Sequence, residues 1–289
     1  MSIVKYDAGL SKLLDSPEIE RIAANHQFTE GPVWHPDGYL LYSDIPADRI
    51  CFWSSEGVKT YRQPSGNSNG LALDRELRLI ACEHGNRRVS RTERDFAVIP
   101  LADRYNGKRL NSPNDVVVRS DGLVYFTDPP YGCPEGQREL DFQGVFCTSP
   151  AGETRVVVSD MDKPNGLAFS PDESILYIDD SGRRHVRAFR VHPDGSLSEG
   201  RLFAEMHSAA PGSPDGMKID FEGRVYVTGA EGVWVFAPAG QRLGILATPE
   251  KPSNCCWGDA DYRTLFVTAR SSVYRVRMNV AGVRRGKVP

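Results

Sequence analysis

Six short stretches of the chain each open on a residue with a side-chain oxygen. They are Glu30 in EGPVW, Asn69 in NGLAL, Asn114 in NDVVV, Asn165 in NGLAF, Asp215 in DGMKI and Asn254 in NCCWG, recurring every 39 to 51 residues. Brought to one point, two carboxylates and several amides would offer hard oxygen donors alone, a set suited to one divalent cation, Ca²⁺ first, with Mg²⁺, Mn²⁺ and Zn²⁺ also compatible. No histidine or cysteine falls among the six to favour Zn²⁺. Such an ion would polarise a carbonyl and stabilise charge developing on its oxygen. Asp215 could then act both as ligand and as acceptor of a proton from attacking water. The bland account is that Asn and Asp open strands as turn residues, and it is preferred for Asn69 and Asn254. It does not explain Glu30, since Glu forms turns poorly, nor why Glu30 and Asp215 should repel each other across a shared mouth.

The elements that must position these residues follow from what comes after each one. Each opening residue precedes a short apolar run, a turn (HPDG, RSDG, SPDE, DFEG) and a second run rich in β-branched and aromatic residues (LLYS, LVYFT, ILYI, RVYVT). That is hairpin chemistry, and a further hairpin follows most of these units. Four antiparallel strands repeated at this period describe a β-propeller blade, so the sequence predicts an all-β, six-bladed β-propeller. Only three strands remain after Asn254, and the N-terminal segment Ile19–Ala24 is expected to supply the fourth and remove an open edge. The division expected is a single domain: an N-terminal extension over 1–18, the propeller over 19–278 and a C-terminal tail over 279–289.

In that fold the six opening residues ring one mouth of the central channel. Antiparallel pairing returns the loops after the second strands to the same mouth. Those loops run over 44–49, 83–87, 128–132 and 180–184, and they supply His84, Asp128, Tyr131 and Arg183 as candidate substrate contacts, beside Asn114. His84 is read either as a proton shuttle or substrate hydrogen-bond partner, or as a cap of its own loop; His35 and His192 sit in turns.

Composition narrows the class. The chain has 289 residues, 40% of them apolar and 25% charged, with 27 glycines and 20 prolines, and a net charge of −3. This is the balance of a globular protein with many turns, and it offers no basic footprint for nucleic acid or an anionic membrane. No window is long and apolar enough for a membrane span, and the start of the chain lacks the pattern of a secretory signal. The six cysteines show no CxxC pair and fall mostly in apolar stretches, as expected for buried reduced thiols in a cytoplasmic protein. The expected state is monomer or homodimer.

Two nucleophile signals occur. GNSNG over 66–70 fits a serine elbow centred on Ser68, but that motif needs a strand before it and a helix after it. Polar turn residues precede it and a blade repeat follows, so the match is read as coincidence. Cys82 precedes Glu83 and is expected to point into its blade.

At these positions the sequence resembles the senescence marker protein / gluconolactonase / luciferin-regenerating enzyme family. The resemblance is carried by FTEGPVW (28–34), CEHGNRRV (82–89), GKRLNSPNDVVV with GLVYFTDPPYG (107–132), KPNGLAFSPD (163–172) and PDGMKID (214–220). It implies a six-bladed propeller with one divalent cation on the axis and hydrolysis of a small-molecule lactone. Carried over by position, Glu30 and Asp215 are the ligating carboxylates, Asn165 a third ligand, and Asn114 a binder of metal or substrate. Some animal members have an arginine where this chain has Ser112, so the match is nearer to bacterial sugar-lactonase-like members. The alternatives are hydrolysis of phosphotriesters or other esters at the same site, and a non-catalytic propeller that binds calcium or another ligand.

Overall fold

The computed structural model describes residues 3–284; residues 1–2 and 285–289, the outermost parts of the expected extension and tail, lie outside the described residues. The chain folds as a six-bladed β-propeller. Each blade is a four-stranded antiparallel sheet whose first strand is innermost. The innermost strands are Thr29–His35, Ser68–Leu73, Val116–Val118, Pro164–Phe169, Met217–Ile219 and Pro252–Gly258. Among the described residues the only helical elements are two short 3₁₀ turns, Leu10–Leu13 and Glu135–Gln137.

The ring closes as the sequence predicts, by an N-terminal strand on the sixth blade, but that strand is longer than expected. It runs over Leu14–Ala23 rather than starting at Ile19, pairing Leu14 with Met278 and Ala23 with Val273. The polar run DSPEIER hides it, because an outer-edge strand exposes alternate residues and carries little apolar signal. Nor is the preceding segment a loose extension. Val4–Lys5 adds a fifth strand to blade five, and Leu10 is completely buried between blades five and six.

Apolar side chains pack between neighbouring blades, as where Tyr226 meets Trp257 edge-on at 5.0 Å. Closer to the axis the blades are bonded directly. Ser43 Oγ donates to the Asn69 carbonyl (2.8 Å), Gly70 N to Asn114 (2.8 Å), and Thr127 Oγ1 to Asn165 (2.8 Å). Gly166 N donates to Asp215 (3.0 Å), Thr228 Oγ1 to Ser253 (2.7 Å), and Ser253 Oγ to Thr29 (2.7 Å). Every blade interface thus carries a hydrogen bond at the level of the opening residues, which fixes their mutual spacing. The backbones come so near that a Cβ at Gly31 would lie 2.0 Å from the Asn69 oxygen, and one at Gly166 2.2 Å from that of Asp215. This close approach explains why glycine follows the opening residue in four blades.

Candidate active site

The loops entering the ring are held by acids at the ends of the second strands. Asp44 Oδ1 accepts the amides of Gln27 and Phe28 at 3.0 and 3.1 Å, just before Glu30. Asp128 accepts those of Asn111 and Ser112, both at 2.7 Å, just before Asn114. Asp180 accepts those of Asp162 and Lys163 at 2.8 and 3.0 Å, just before Asn165. This corrects the expectation that Asp128 contacts substrate. Its side chain is fully buried, both oxygens hold backbone amides, and its work is to fix the approach to Asn114.

With the entries fixed, the ring residues converge. The Asp215 carboxylate lies near enough to the side chains of Glu30 and Asn165 for both to act on its pKa. Asn165 in turn donates to Ser181 Oγ at 3.1 Å. Tyr131 is half exposed, but its hydroxyl lies against Ser181 and Asn165, and burial of that end pushes its pKa up to about 12. Asn114 is buried at the same level, and among the described residues no hydrogen bond engages its side-chain amide. Arg183, by contrast, is exposed and donates to the Asp160 carbonyl at 2.8 Å, so the structure places it on the rim and away from the convergent set.

The two asparagines read as turn residues prove to be part of the ring. Asn254 Nδ2 donates to Glu30 Oε2 at 3.1 Å and to Asp115 Oδ2 at 3.2 Å, so it spans the channel between two acids. Asn69 Nδ2 donates to His84 Nε2 at 3.2 Å, which puts the proton of a neutral His84 ring on Nδ1.

Two acids here were missed by sequence reasoning. Asp115 follows Asn114 at the position where four blades have glycine, and its carboxylate faces the channel beside Asn254. Asp179 precedes Asp180 where other blades place the hydroxyls of Ser43, Thr127, Thr228 and Thr268. It is completely buried, and neither carboxylate oxygen has a hydrogen-bond partner. Aligning the repeats on the residue after the opener, and on the residue before the terminal acid, would have exposed both exceptions.

The result is a concentration of buried negative charge. Burial, then Asp215 and Asp115, hold Glu30 well above the usual carboxylate range. Burial likewise raises Asp179, with Asp215 and Asp115 adding to it, and raises Asp115, which Lys218 opposes. Burial lifts Asp215 to about 7 against the opposing pull of Lys251 and Asn165. Below this ring the walls turn apolar: Val33, Trp34, Leu71, Val116, Ala168 and Trp257 line a cavity of about 130 Å³.

Residues 28–271 match the SMP-30/Gluconolactonase/LRE-like region. The chain belongs to that family. As a member of the SMP-30/gluconolactonase family it is 35% identical to the gluconolactonase of Zymomonas mobilis, over 97% of this chain and 87% of that protein. It is 30% identical to the pentonolactonase XacC of Haloferax volcanii, over 83% and 80% of the two chains. The solved structure of the Xanthomonas campestris gluconolactonase superposes with a TM-score of 0.87 at 35% identity, covering 95% of this chain and 94% of that one.

The remaining motifs of this family member resolve as structural. Ser68 is fully buried with its Oγ 2.8 Å from Ser43 Oγ, inside a strand and not on an elbow. Ser112 Oγ accepts the Gly132 amide at 3.0 Å and ties two rim loops together. All six cysteines are buried and free. No helix among the described residues is long and apolar enough to cross a membrane.

His84 makes a separate prediction about stability. Burial lowers its pKa to about 4 from an ordinary 6.5. A folded-state pKa below the unfolded one means that the unfolded chain takes up the proton first, so this stability is complete above pH 6.5 and lost as pH falls towards 4. The loss amounts to about 3 kcal/mol. Urea unfolding from pH 7 to 4 should therefore show a steeper decline in the parent than in His84→Gln; parallel declines would refute the buried neutral imidazole.

Proposed function

We propose that the protein hydrolyses sugar-derived lactones to the open hydroxy acids. The observation that carries this reading is the nearness of Glu30 and of Asn165 to the buried Asp215 carboxylate, in a chain 35% identical over 97% of its length to a gluconolactonase. One divalent cation fits this site. Glu30, Asp115, Asp179 and Asp215 are all buried here, each with a raised pKa, and buried charges of one sign call for a proton or a cation. Among the described residues no three His, Cys, Asp or Glu side chains gather as a metal group, so the holding set would combine the carboxylates of Glu30 and Asp215 with the amide of Asn165, and Asn114 beside them. That all-oxygen chemistry favours Ca²⁺, with Zn²⁺, Mg²⁺ and Mn²⁺ as substitutes. When bound, the ion supplies Lewis acidity to the lactone carbonyl.

The chain's own residues do the rest. Asp215 accepts the proton of the attacking water as the general base. Asn165, fixed by Ser181, keeps the Asp215 carboxylate oriented. The unengaged amide of Asn114 and the Tyr131 hydroxyl offer hydrogen bonds to the hydroxyls of a sugar ring, and neutral His84 holds Asn69 at the far side. The buried free thiols suit a reducing compartment, and a cytoplasmic location is part of the same reading. A panel of aldonolactones assayed after chelation, and again after each cation is restored, tests the reading. Turnover should vanish on chelation and return with at least one ion; a panel that stays inert with every cation would overturn it.

A further inference from the structure

Beside the pole, on the blade-six side, a recess of about 230 Å³ is lined by Gln27, Phe28, Asp215, Lys251, Pro252 and Arg270. Two exposed cations share this recess with a site carboxylate, and the fold anchors each next to one of the two ring acids. Arg270 sits at the tip of the hairpin between Thr264–Ala269 and Ser272–Met278. Its carbonyl accepts the Thr29 amide at 2.7 Å, one residue from Glu30. Lys251 immediately precedes the strand Pro252–Gly258, and within that strand the Ser253 carbonyl accepts the Gly216 amide at 2.8 Å, one residue from Asp215. Lys251 is near enough to draw down the pKa of Asp215.

Among the described residues no carboxylate stands within salt-bridge distance of either cation. The adjacent acid, Glu250, is engaged elsewhere, accepting from the Ser271 amide and hydroxyl and from the Tyr274 hydroxyl at 2.9–3.0 Å. The floor of the mouth holds buried acids, which repel an anion, whereas Lys251 and Arg270 share a recess with Asp215 itself. An anionic group attached to a substrate at the pole can extend from Asp215 towards Lys251 and Arg270. There a lysine point charge and an arginine fork can both engage a phosphate or carboxylate.

We propose that this recess is the subsite for an anionic substituent of the lactone, so that acidic sugar lactones, carrying a phosphate or a second carboxylate, are preferred over neutral ones. The proposal rests on the lactonase reading and names the substrate class of the same site. The product acids separate binding from turnover. Calorimetric titration of the cation-loaded protein with gluconate, glucarate and 6-phosphogluconate compares one anionic group with two. In the parent the doubly anionic acids should bind roughly tenfold tighter than gluconate, as two exposed ion pairs allow. That gap should close in the double variant Lys251→Gln/Arg270→Gln, shown to be folded by its unchanged circular dichroism, and should shrink in about 0.5 M salt. A gain with 6-phosphogluconate alone identifies phosphate as the group, and an equal gain with glucarate identifies either anion. Equal binding of all three acids, or a gap that survives the double variant, overturns the subsite. A parent that shows the gap and opens no lactone overturns the lactonase reading instead; one that opens neutral lactones and shows no gap overturns only the subsite.

Discussion

Asp215→Asn is expected to fold like the parent and to lose about a thousandfold or more in kcat on aldonolactones. The fold should hold because this position contributes to the blades through its backbone. Its carbonyl accepts Gly166 N at 3.0 Å, its amide donates to the Thr228 carbonyl at 3.0 Å, and both survive the change. Asn is isosteric with Asp and can still bond the Asn165 side chain. It cannot accept a proton, however, and general-base assistance alone is worth about 10²–10⁴ in rate. Weakened cation binding adds to the loss, since the same carboxylate belongs to the holding set. Two measurements separate the contributions. Calorimetry with Ca²⁺ reports the lost ligand, while the pH profile at saturating cation reports the lost base. The parent's rate should rise with pH as Asp215 deprotonates, over a range that the bound cation moves to lower pH, and the variant's residual rate should be flat over the same interval. A variant that kept a tenth of the parent rate, or the same pH limb, would remove Asp215 from the base role.

The fold was legible because its signal is periodic. Each blade repeats the opener, the hairpin turn and a β-branched second run, and periodicity survives local irregularity. The two carboxylates and Asn165 were legible for the same reason, since they occupy one phase of the repeat and one of them, Glu30, breaks the turn chemistry expected there. What escaped notice were departures from the repeat. Asp115 stands where Gly31, Gly70, Gly166 and Gly216 stand in their blades, and Asp179 stands among hydroxyls. Composition does not mark either, because aspartate in a β-turn-rich chain is unremarked until the blades are superposed. Asp128 failed in the opposite sense. A loop acid at a predicted mouth reads as a ligand contact, yet amides that enter the ring with no strand partner must be satisfied somewhere, and Asp44, Asp128 and Asp180 satisfy them. Lys251 and Arg270 lie outside every motif, so their place beside the ring acids follows only from the hairpin and strand that carry them.

Glu30→Gln should uncouple stability from the cation, and its direction follows from the acids it touches. Glu30, Asp115 and Asp179 all have folded-state pKa values raised above the ordinary range, and Asp215 lies near 7. A raised carboxylate pKa means that the folded chain holds protons which the unfolded chain has released, so without a cation stability must fall as pH rises beyond the ordinary carboxylate range. At pH 8 the stripped parent is therefore less stable than near the ordinary carboxylate range, because ionising its buried acids is opposed by burial and by one another. Adding a cation at about a hundred times its Kd should stabilise it by about 2.7 kcal/mol, roughly 4–5 °C in Tm for a chain of this size. In Glu30→Gln one of the four acids is gone. The stripped variant should then melt no lower than the stripped parent at pH 8, and higher if repulsion outweighs the loss of Glu30 as acceptor from Gly31 N at 2.6 Å. The cation should raise its Tm by less than about 2 °C, because the holding set has lost a carboxylate, and kcat/KM should drop by about a hundredfold or more. Thermal scans of both proteins with and without Ca²⁺ decide the matter. A full cation-induced shift in the variant would mean that the ion is held elsewhere, and a stripped variant much less stable than the stripped parent would mean that Glu30 serves the fold and not the site.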